Sequence, residues 1–226
     1  MGFREREKER LVPLTEHLFS AEARKAGTYK GKRYDFCLRN DCASENLHGR
    51  IRADALRYFK KRCIPWHDGI GGGPSNHLCC SQSACVNFWF PFGQAPEALA
   101  AVLRELGYDV AEMLPFEADA MPSDDGHRYV AFEWIGKRNY LKERIRGRVA
   151  EDAERQRGQN FTSLDFSFRF RRSDGLIQIV AGEWKYTERY ANGRSIQRSR
   201  SGTARLEQNY APALDAPDCQ IEMNGL

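Results

Sequence analysis

The sequence LDFSFRF at residues 164–170 alternates strictly between apolar and polar side chains. Successive side chains of a β-strand point to opposite faces, so Leu164 and the three phenylalanines form one face and Asp165 lies on the other. Ser173-Asp174-Gly175 follows, which is typical of a three-residue hairpin loop with glycine in the left-handed conformation. The pattern therefore predicts an antiparallel hairpin with strands at residues 164–170 and 176–186.

The loop length sets the register of this hairpin. A three-residue loop centres the hairpin on Asp174, which places Asp165 directly opposite Glu183. Lys185 lies two residues further along the second strand and points to the same face. A two-residue turn is the alternative, and it would place Asp165 opposite Trp184 and separate the charges. The second strand is apolar on both faces over its first residues, so we expect it to be central and buried.

Two opposing carboxylates and a lysine suggest a metal-dependent hydrolytic site. Carboxylates that face each other across two strands, about 5 Å apart, repel unless a divalent cation lies between them. Oxygen ligands favour Mg²⁺, with Mn²⁺ as a substitute. The Lys185 ammonium can orient a water or offset phosphate charge, which suits phosphodiester hydrolysis. The alternative interpretation is an exposed cluster of cross-strand charges with no catalytic role.

The rest of the chain predicts an α/β domain with a mixed β-sheet flanked by helices. We expect helices at residues 3–26, 44–62, 81–90, 95–106 and 139–157, and a further strand at residues 128–135. The glycine-rich residues 66–76 form a loop and the best internal boundary. We therefore divide the chain into a helical N-terminal region, residues 1–76, and a core, residues 77–226.

The charge distribution indicates a nucleic-acid partner. The net charge is only +4, but residues 136–205 contain 17 Lys and Arg against 8 Asp and Glu. Such a basic segment is what binding to the phosphates of double-stranded DNA requires. We expect the contacts to come from a run of arginines without intervening acids: Arg189, Arg194, Arg198, Arg200 and Arg205. No apolar run is long enough to span a membrane and the N-terminus lacks a secretion signal, so we expect a cytoplasmic protein.

The chain contains seven cysteines and five histidines. Three short patterns resemble halves of a zinc site: Cys37-x4-Cys42, Cys63-x3-His67 and His77-x-Cys79-Cys80. None has the paired CxxC spacing that is typical of structural zinc, and small buried cysteines are common. We therefore expect structural roles for these residues, with a structural zinc ion as the alternative.

Asp165, a hairpin and then Glu183-Trp184-Lys185 resemble the catalytic motif of the PD-(D/E)XK nuclease superfamily, the fold of restriction endonucleases. A closer resemblance, to a group of bacterial restriction endonucleases, covers most of the chain. It lies in five segments: Phe36-Cys37-Leu38, Ile64-Pro65-Trp66-His67, His77-Leu78-Cys79-Cys80-Ser81-Gln82, Thr162-Ser163-Leu164-Asp165 and Gly182-Glu183-Trp184-Lys185-Tyr186-Thr187-Glu188. The superfamily usually begins its acidic motif with proline, whereas this chain has Ser163-Leu164.

The resemblance implies a restriction-endonuclease-like fold and roles for particular residues. Asp165, Glu183 and the Trp184 carbonyl would ligate the metal, and Lys185 would lie near the attacking water. The superfamily often adds an upstream acid on a helix, for which Glu143 is our candidate and Glu133 the second. Its core also continues with a helix and a strand; we expect the helix at residues 198–208 and only a stub of strand at residues 219–222, which implies a core truncated at its C-terminal end.

The resemblance implies a Mg²⁺-dependent endonuclease that cuts double-stranded DNA, as a homodimer where both strands are cut. Two alternatives stay open. One is a nuclease of DNA repair or processing with the same chemistry, and the other is a non-catalytic DNA-binding module whose acidic cluster is only surface.

Overall fold

The computed structural model describes residues 1–116, 128–158, 161–187, 203–204 and 206–215. The chain divides into two compact units. The first contains Met1–Trp134 and Gln156–Glu188, and the second contains Ile135–Arg155 and Arg189–Leu226. The boundary that we predicted after residue 76 lies inside the first unit, and the division into an N-terminal region and a core stays a prediction.

Four helices of nine residues or more lie in the described part of the first unit. They are α1 (Phe3–Leu18), α2 (Gly49–Lys61), α3 (Ser81–Trp89) and α4 (Pro96–Glu105). Shorter 3₁₀ helices form at Asn40–Asn46 and Phe90–Gln94. The last three α-helices match the predicted helices closely. The first ends earlier than predicted, because the backbone N–H and the hydroxyl of Ser20 both donate to the carboxylate of Glu45 at 2.9 and 2.7 Å.

The described residues form eight β-strands. They are β1 (Gly27–Tyr29), β2 (Lys32–Tyr34), β3 (Glu112–Leu114), β4 (Ala131–Trp134), β5 (Arg144–Ile145), β6 (Arg148–Val149), β7 (Leu164–Arg171) and β8 (Ile177–Gly182). Near the C-terminus, Leu206–Tyr210 forms a π-helical turn and Ala211–Leu214 a short α-helix. This mixture of helices and strands confirms the α/β class.

The hairpin of β7 and β8 has the predicted three-residue loop and the predicted register. Phe166 is paired with Gly182 at one end and Arg171 with Ile177 at the other. The loop closes through a hydrogen bond of 2.8 Å from the Arg172 N–H to the Leu176 carbonyl. Gly175 has φ +86°, the left-handed conformation that this loop requires. The alternative two-residue turn is therefore wrong.

Strand β7, not β8, is the centre of the described sheet. Its first half pairs with β4 and its second half with β3 along one edge, while β8 pairs with the other edge. Among the described strands β8 has no second neighbour, and Ile177 and Ile179 are 56% and 46% exposed. The prediction that this strand is central and buried is therefore wrong for the described structure. All described pairings are antiparallel, whereas we predicted a mixed sheet.

Aromatic side chains hold α3 against the sheet. The Trp89 ring lies 4.9 Å from Phe166 and 4.7 Å from Phe168, and Phe168 and Phe170 are almost fully buried. This is the apolar face that the alternation of residues 164–170 predicts. Burial of such large rings is the main stabilising contribution to the fold. It fixes β7 and so the position of the polar residues at its start.

The predicted helix at residues 139–157 is wrong. This segment of the second unit contains the hairpin of β5 and β6 and a 3₁₀ turn at Asp152–Glu154. Arg146 and Gly147 both have positive φ, as a two-residue type I′ turn requires. The side-chain amide of Asn139 donates to the Glu143 and Ala150 carbonyls, both at 2.9 Å, and stabilises this non-helical path.

Among the described residues, no helix has the length and apolar character that a membrane crossing needs.

Candidate active site

Three carboxylates come together at the end of the sheet where β7 begins. On β4, Phe132 pairs with Phe166 and Trp134 with Leu164, so Glu133 lies alongside Asp165. On the other side, Phe166 pairs with Gly182, and Glu183 is the next residue after β8. The hairpin therefore brings Glu183 beside Asp165, as predicted, and β4 adds Glu133. We call Glu133, Asp165 and Glu183 the carboxylate row.

Glu133 is held in place on both sides. Gln82 Nε2 donates to its Oε1 at 2.8 Å, and Ser163 Oγ donates to its Oε2 at 2.7 Å. Its backbone has φ +48°, which is uncommon for a non-glycine residue, and Glu133 has no partner in the register of β4 with β7. Strained backbone conformations of this kind are concentrated at functional sites. Glu133 was our second candidate for the upstream acid, and it lies in the site.

The pKa of the Asp165 carboxyl is strongly raised. The pKa of this carboxyl is raised from 3.8 to about 6, mainly by burial and also by the charges of Glu183 and Glu133. The Trp184 N–H, which donates to Asp165 Oδ2 at 2.7 Å, and the Lys185 ammonium act in the opposite direction. The balance of these effects is a site with excess negative charge, which a cation would relieve.

Lys185 and Glu183 form a close ion pair through Lys185 Nζ and Glu183 Oε1. Both side chains are about half exposed, so they are accessible to a substrate at the surface. Lys185 and Asp165 also line a cleft of about 440 Å³. The other walls of this cleft include Trp66, Gln82, Glu133, Phe161 and Trp184. The volume of the cleft leaves room for a nucleotide-sized group beside Glu133 and Asp165.

The donor set of the carboxylate row fits a hard divalent cation, because all three side chains offer oxygen and the half-buried Asp165 is held at a raised pKa. In the described part of the chain, no three His, Cys, Asp or Glu side chains are grouped closely enough to hold a metal ion as they stand. Glu183 is turned toward Lys185, and both oxygens of Glu133 accept protein hydrogen bonds. A bound cation therefore requires Glu183 to leave Lys185.

Gln82 organises the site, although no sequence pattern assigned it a role. It donates to Glu133 and, at 3.3 Å, to the Pro65 carbonyl, and its Oε1 accepts the His67 N–H at 2.8 Å. It therefore joins the first turn of α3 to β4 and to the loop after α2. The only sequence signal was its place at the end of the segment His77–Gln82 that carries the resemblance.

The other predicted site residues belong to the second unit or lie outside the described residues. Glu143 belongs to the second unit and is not on a helix; its carboxylate lies 3.9 Å from Arg155 Nη2 and its backbone N–H donates to Asn139 Oδ1. The choice between Glu143 and Glu133 as the upstream acid stays a prediction. The arginines that we predicted to contact DNA lie outside the described residues: Arg189, Arg194, Arg198, Arg200 and Arg205.

Only some residues of the three cysteine and histidine patterns lie close to one another. Cys37 and His77 form an isolated antiparallel bridge, and His77 Nδ1 accepts the Cys79 N–H at 3.0 Å. Burial, together with the charges of Arg4 and Lys8, lowers the pKa of His77 to about 4. His67 is exposed and points its Nε2 toward Asp68 at 3.7 Å. The described residues therefore present a buried neutral histidine here, not a grouped ligand set.

The low pKa of His77 predicts an acid-sensitive fold. A histidine whose folded pKa is lowered stabilises the protein above its unfolded pKa, and that contribution is lost as the pH falls through about 4. Between pH 7 and 5 we expect the wild type to lose about 2 kcal/mol more free energy of unfolding than His77→Asn. Urea denaturation at both pH values measures this, with the exposed His17→Asn as control. Equal losses in the wild type and His77→Asn would contradict it.

The chain matches the model of a known protein family. Neither the curated proteins nor the solved structures include a significant match to the chain. The model of the family described as "Restriction Endonuclease associating with ARP" matches residues 13–223, which include the whole carboxylate row, Lys185 and Gln82. The chain therefore belongs to this restriction endonuclease family.

Proposed function

We propose that the protein is a Mg²⁺-dependent endonuclease of the PD-(D/E)XK type that hydrolyses phosphodiester bonds in double-stranded DNA. The observation that carries the proposal is the carboxylate row, which β4, β7 and the end of β8 bring together next to Lys185. Glu133, Asp165 and Lys185 line a cleft. The family match supports a nuclease-related role for the chain as a whole. Metal dependence, DNA as substrate and the superfamily are part of the proposal.

In this proposal Asp165, Glu183 and the Trp184 carbonyl hold the cation, with Mn²⁺ able to replace Mg²⁺. When bound, Mg²⁺ supplies Lewis-acid polarisation of the phosphoryl group. Glu133 stays fixed by Gln82 and Ser163 and adds negative charge on the other side of Asp165. Both oxygens of Glu133 are already held by hydrogen bonds, so this side chain does not have to change conformation when a cation binds. This side of the site is therefore pre-organised.

Lys185 has two roles in the proposal. It neutralises Glu183 when no cation is bound, through their close ion pair. With a cation held by Glu183, the Lys185 ammonium would no longer form this ion pair. It lines the cleft, where it would offset the charge that develops on the phosphate and hold the attacking water. A methionine of similar length would fill the space but perform neither function.

A plasmid-nicking assay tests the proposal. We expect the wild type to nick supercoiled DNA in Mg²⁺ but not in EDTA, and Glu183→Gln and Lys185→Met to lose nicking more than about 100-fold. The matched control is Glu112→Gln, which removes an exposed carboxylate from β3. Identical nicking by all four proteins would contradict a role for this site. DNA binding without nicking by the wild type would support the non-catalytic DNA-binding module instead.

Gln82 is expected to act as a positioning residue in this site. In Gln82→Glu the new carboxylate cannot donate to Glu133 and repels it, so we expect a lower melting temperature and about 10- to 100-fold slower nicking. The exchange variant Gln82→Glu/Glu133→Gln restores a donor and acceptor at this contact. It should recover the melting temperature but not the nicking rate, since Glu133 is lost from the carboxylate row. Full recovery of nicking would show that Glu133 is only structural.

A further inference from the structure

A second groove lies on the other side of the loop that borders the cleft. It has a volume of about 550 Å³, and its walls come from α2, the residues around Asn40 and the glycine-rich loop. The residues that matter here are Arg57 and Lys60 of α2 and Gly71 and Gly72 of the loop. Neither the carboxylate row nor its hydrogen-bonding partners line this groove.

The α2 wall of the groove is basic. Arg57 and Lys60 are three residues apart, so they share one helix face, and both are exposed. Arg57 is paired with Asp54 at 3.1 Å, while Lys60 has no ion-pair partner among the described residues. The exposed Arg50 continues this face toward the start of α2. The segment 49–62 contains six cations and a single acid, Asp54.

The opposite wall offers backbone donors. Gly71 and Gly72 have φ of +59° and +78°, and a Cβ at either position would meet no atom within 4 Å. The Gly73 N–H donates to the Ile70 carbonyl, but in the described part of the chain the Gly71 and Gly72 N–H groups have no acceptor. Successive unpaired N–H groups in a turn form a concavity that binds anions. The bare backbone also lets a large ligand approach closely.

One loop connects this groove to the catalytic cleft. Trp66, His67 and Asp68 line the cleft, and residues 70–73 of the same loop line the groove. Gly69 joins the two parts in a tight turn, in which an added Cβ would lie 2.5 Å from the Gly73 carbonyl oxygen. Because one short loop lines both, the groove is a neighbouring site for a polyanion that is held in the cleft.

We propose that the groove between α2 and the glycine-rich loop binds the phosphate backbone of duplex DNA beyond the cleavage site. The contacts are Arg57 and Lys60 from one wall and the Gly71 and Gly72 N–H groups from the other. The inference rests on the proposed function for the identity of the polyanion, and it supplies affinity, not sequence recognition.

The negative charges at the groove do not oppose this assignment. Asp41 lines the groove, but it forms a close ion pair with Arg39 that keeps its pKa at about 2. Asp54 is paired with Arg57. Basic residues in the last turn of a helix also stabilise it through the helix dipole, and this is the structural alternative for Lys60. This alternative predicts that substitution of Lys60 changes the melting temperature and leaves the Kd for DNA unchanged.

The test is DNA binding in EDTA, where no cleavage occurs. Fluorescence anisotropy with a duplex of about 30 base pairs gives Kd over a series of salt concentrations, and each lost phosphate contact lowers the slope of log Kd against log salt by about 0.9. We expect Arg57→Ala/Lys60→Ala to lower the slope by about 1.8 and to weaken binding about tenfold or more at moderate salt. Arg57→Lys/Lys60→Arg should retain the wild-type slope.

The matched control is Arg171→Ala/Arg172→Ala, which removes two cations at the turn end of the β7–β8 hairpin. Three results for the salt slope would overturn the assignment: an unchanged slope in Arg57→Ala/Lys60→Ala, an equal fall in the control, or a fall in the charge-conserving variant. A wild type that binds no duplex would overturn it as well. The two proposals can fail separately, because binding is measured in EDTA and nicking requires Mg²⁺. An unchanged slope together with normal nicking overturns only the groove, whereas the expected fall in slope without any nicking by the wild type overturns only the proposed function.

Discussion

Asp165→Asn should abolish Mg²⁺-dependent nicking and, without divalent cations, should make the protein more stable at pH 7. The loss of activity follows from the central place of Asp165 in the carboxylate row, between Glu133 and Glu183. Changes to residues that only support a metal ligand already cost about 10- to 100-fold, so loss of a ligand should exceed about 100-fold. Asparagine keeps the size of the side chain and an oxygen for the Trp184 N–H.

The gain in stability follows from the direction of the pKa shift. The pKa of Asp165 is raised from 3.8 to about 6, so its contribution to stability is present below pH 3.8 and is lost as the pH rises through about 6. The full shift corresponds to about 3 kcal/mol, which partial exposure reduces to about 1–2 kcal/mol. The substituted asparagine has no charge, so this destabilisation at neutral pH disappears.

Urea denaturation in EDTA measures this effect. Asp165→Asn should be more stable than the wild type by about 1–2 kcal/mol at pH 7, and the difference should largely vanish near pH 4, where Asp165 is mostly protonated. Glu112→Gln, an exposed carboxylate of the same sheet, should behave like the wild type at both pH values. A variant that is less stable than the wild type at pH 7 would contradict the electrostatic description of the site.

Gly182→Val should destabilise the protein by at least about 3 kcal/mol and should also abolish nicking. A Cβ at Gly182 would lie 2.1 Å from Cζ and 2.2 Å from Cε2 of Phe166, its partner in the ladder. The Phe166 ring cannot move freely, because it packs 4.9 Å from Trp89 and 5.2 Å from Phe168. Relief of the clash must therefore shift the end of β8, and with it Glu183.

The control for this variant is Ala181→Val, one residue earlier on the same strand. Ala181 is exposed, so the added methyl groups meet solvent and the free energy of unfolding should change by no more than about 0.5 kcal/mol. Thermal or urea denaturation compares the two variants, and the nicking assay follows with whichever protein remains folded. If Gly182→Val were as stable as Ala181→Val, the close packing of Phe166 on this glycine would be wrong.

The hairpin could be predicted from the sequence because its determinants are local. The alternation of residues 164–170 defines the two faces of β7, and Ser173-Asp174-Gly175 fixes the loop length and so the pairing of Phe166 with Gly182. These features lie within about twenty residues of one another. The juxtaposition of Asp165, Glu183 and Lys185 follows directly from them, without any knowledge of the rest of the fold.

The place of Glu133 could not be predicted in the same way. It depends on the pairing of β4 with β7, two segments about thirty residues apart, and on a positive φ at a glutamate, which no sequence pattern signals. Gln82 reaches the site from α3, about fifty residues before Glu133. Such contacts depend on tertiary packing, for which a single sequence gives no register.

Two errors have identifiable physical causes. The charged segment 139–157 has a composition typical of helices, but the positive φ values of Arg146 and Gly147 favour a tight hairpin turn. The residues of β8 are apolar on both faces, which usually indicates a central strand, yet Ile177 and Ile179 are exposed among the described residues. In the first case the Arg146-Gly147 turn overrides a helical composition, and in the second the described sheet places no strand on the outer edge of β8.

The central claim is that the carboxylate row binds a divalent cation, and titration with Mn²⁺ followed by electron paramagnetic resonance tests it most directly. Free Mn²⁺ gives a strong signal that falls on binding. We expect saturable uptake by the wild type and by Glu112→Gln, and an affinity at least about tenfold weaker for Asp165→Asn and Glu183→Gln. No uptake by the wild type, or equal uptake by Asp165→Asn, would contradict it.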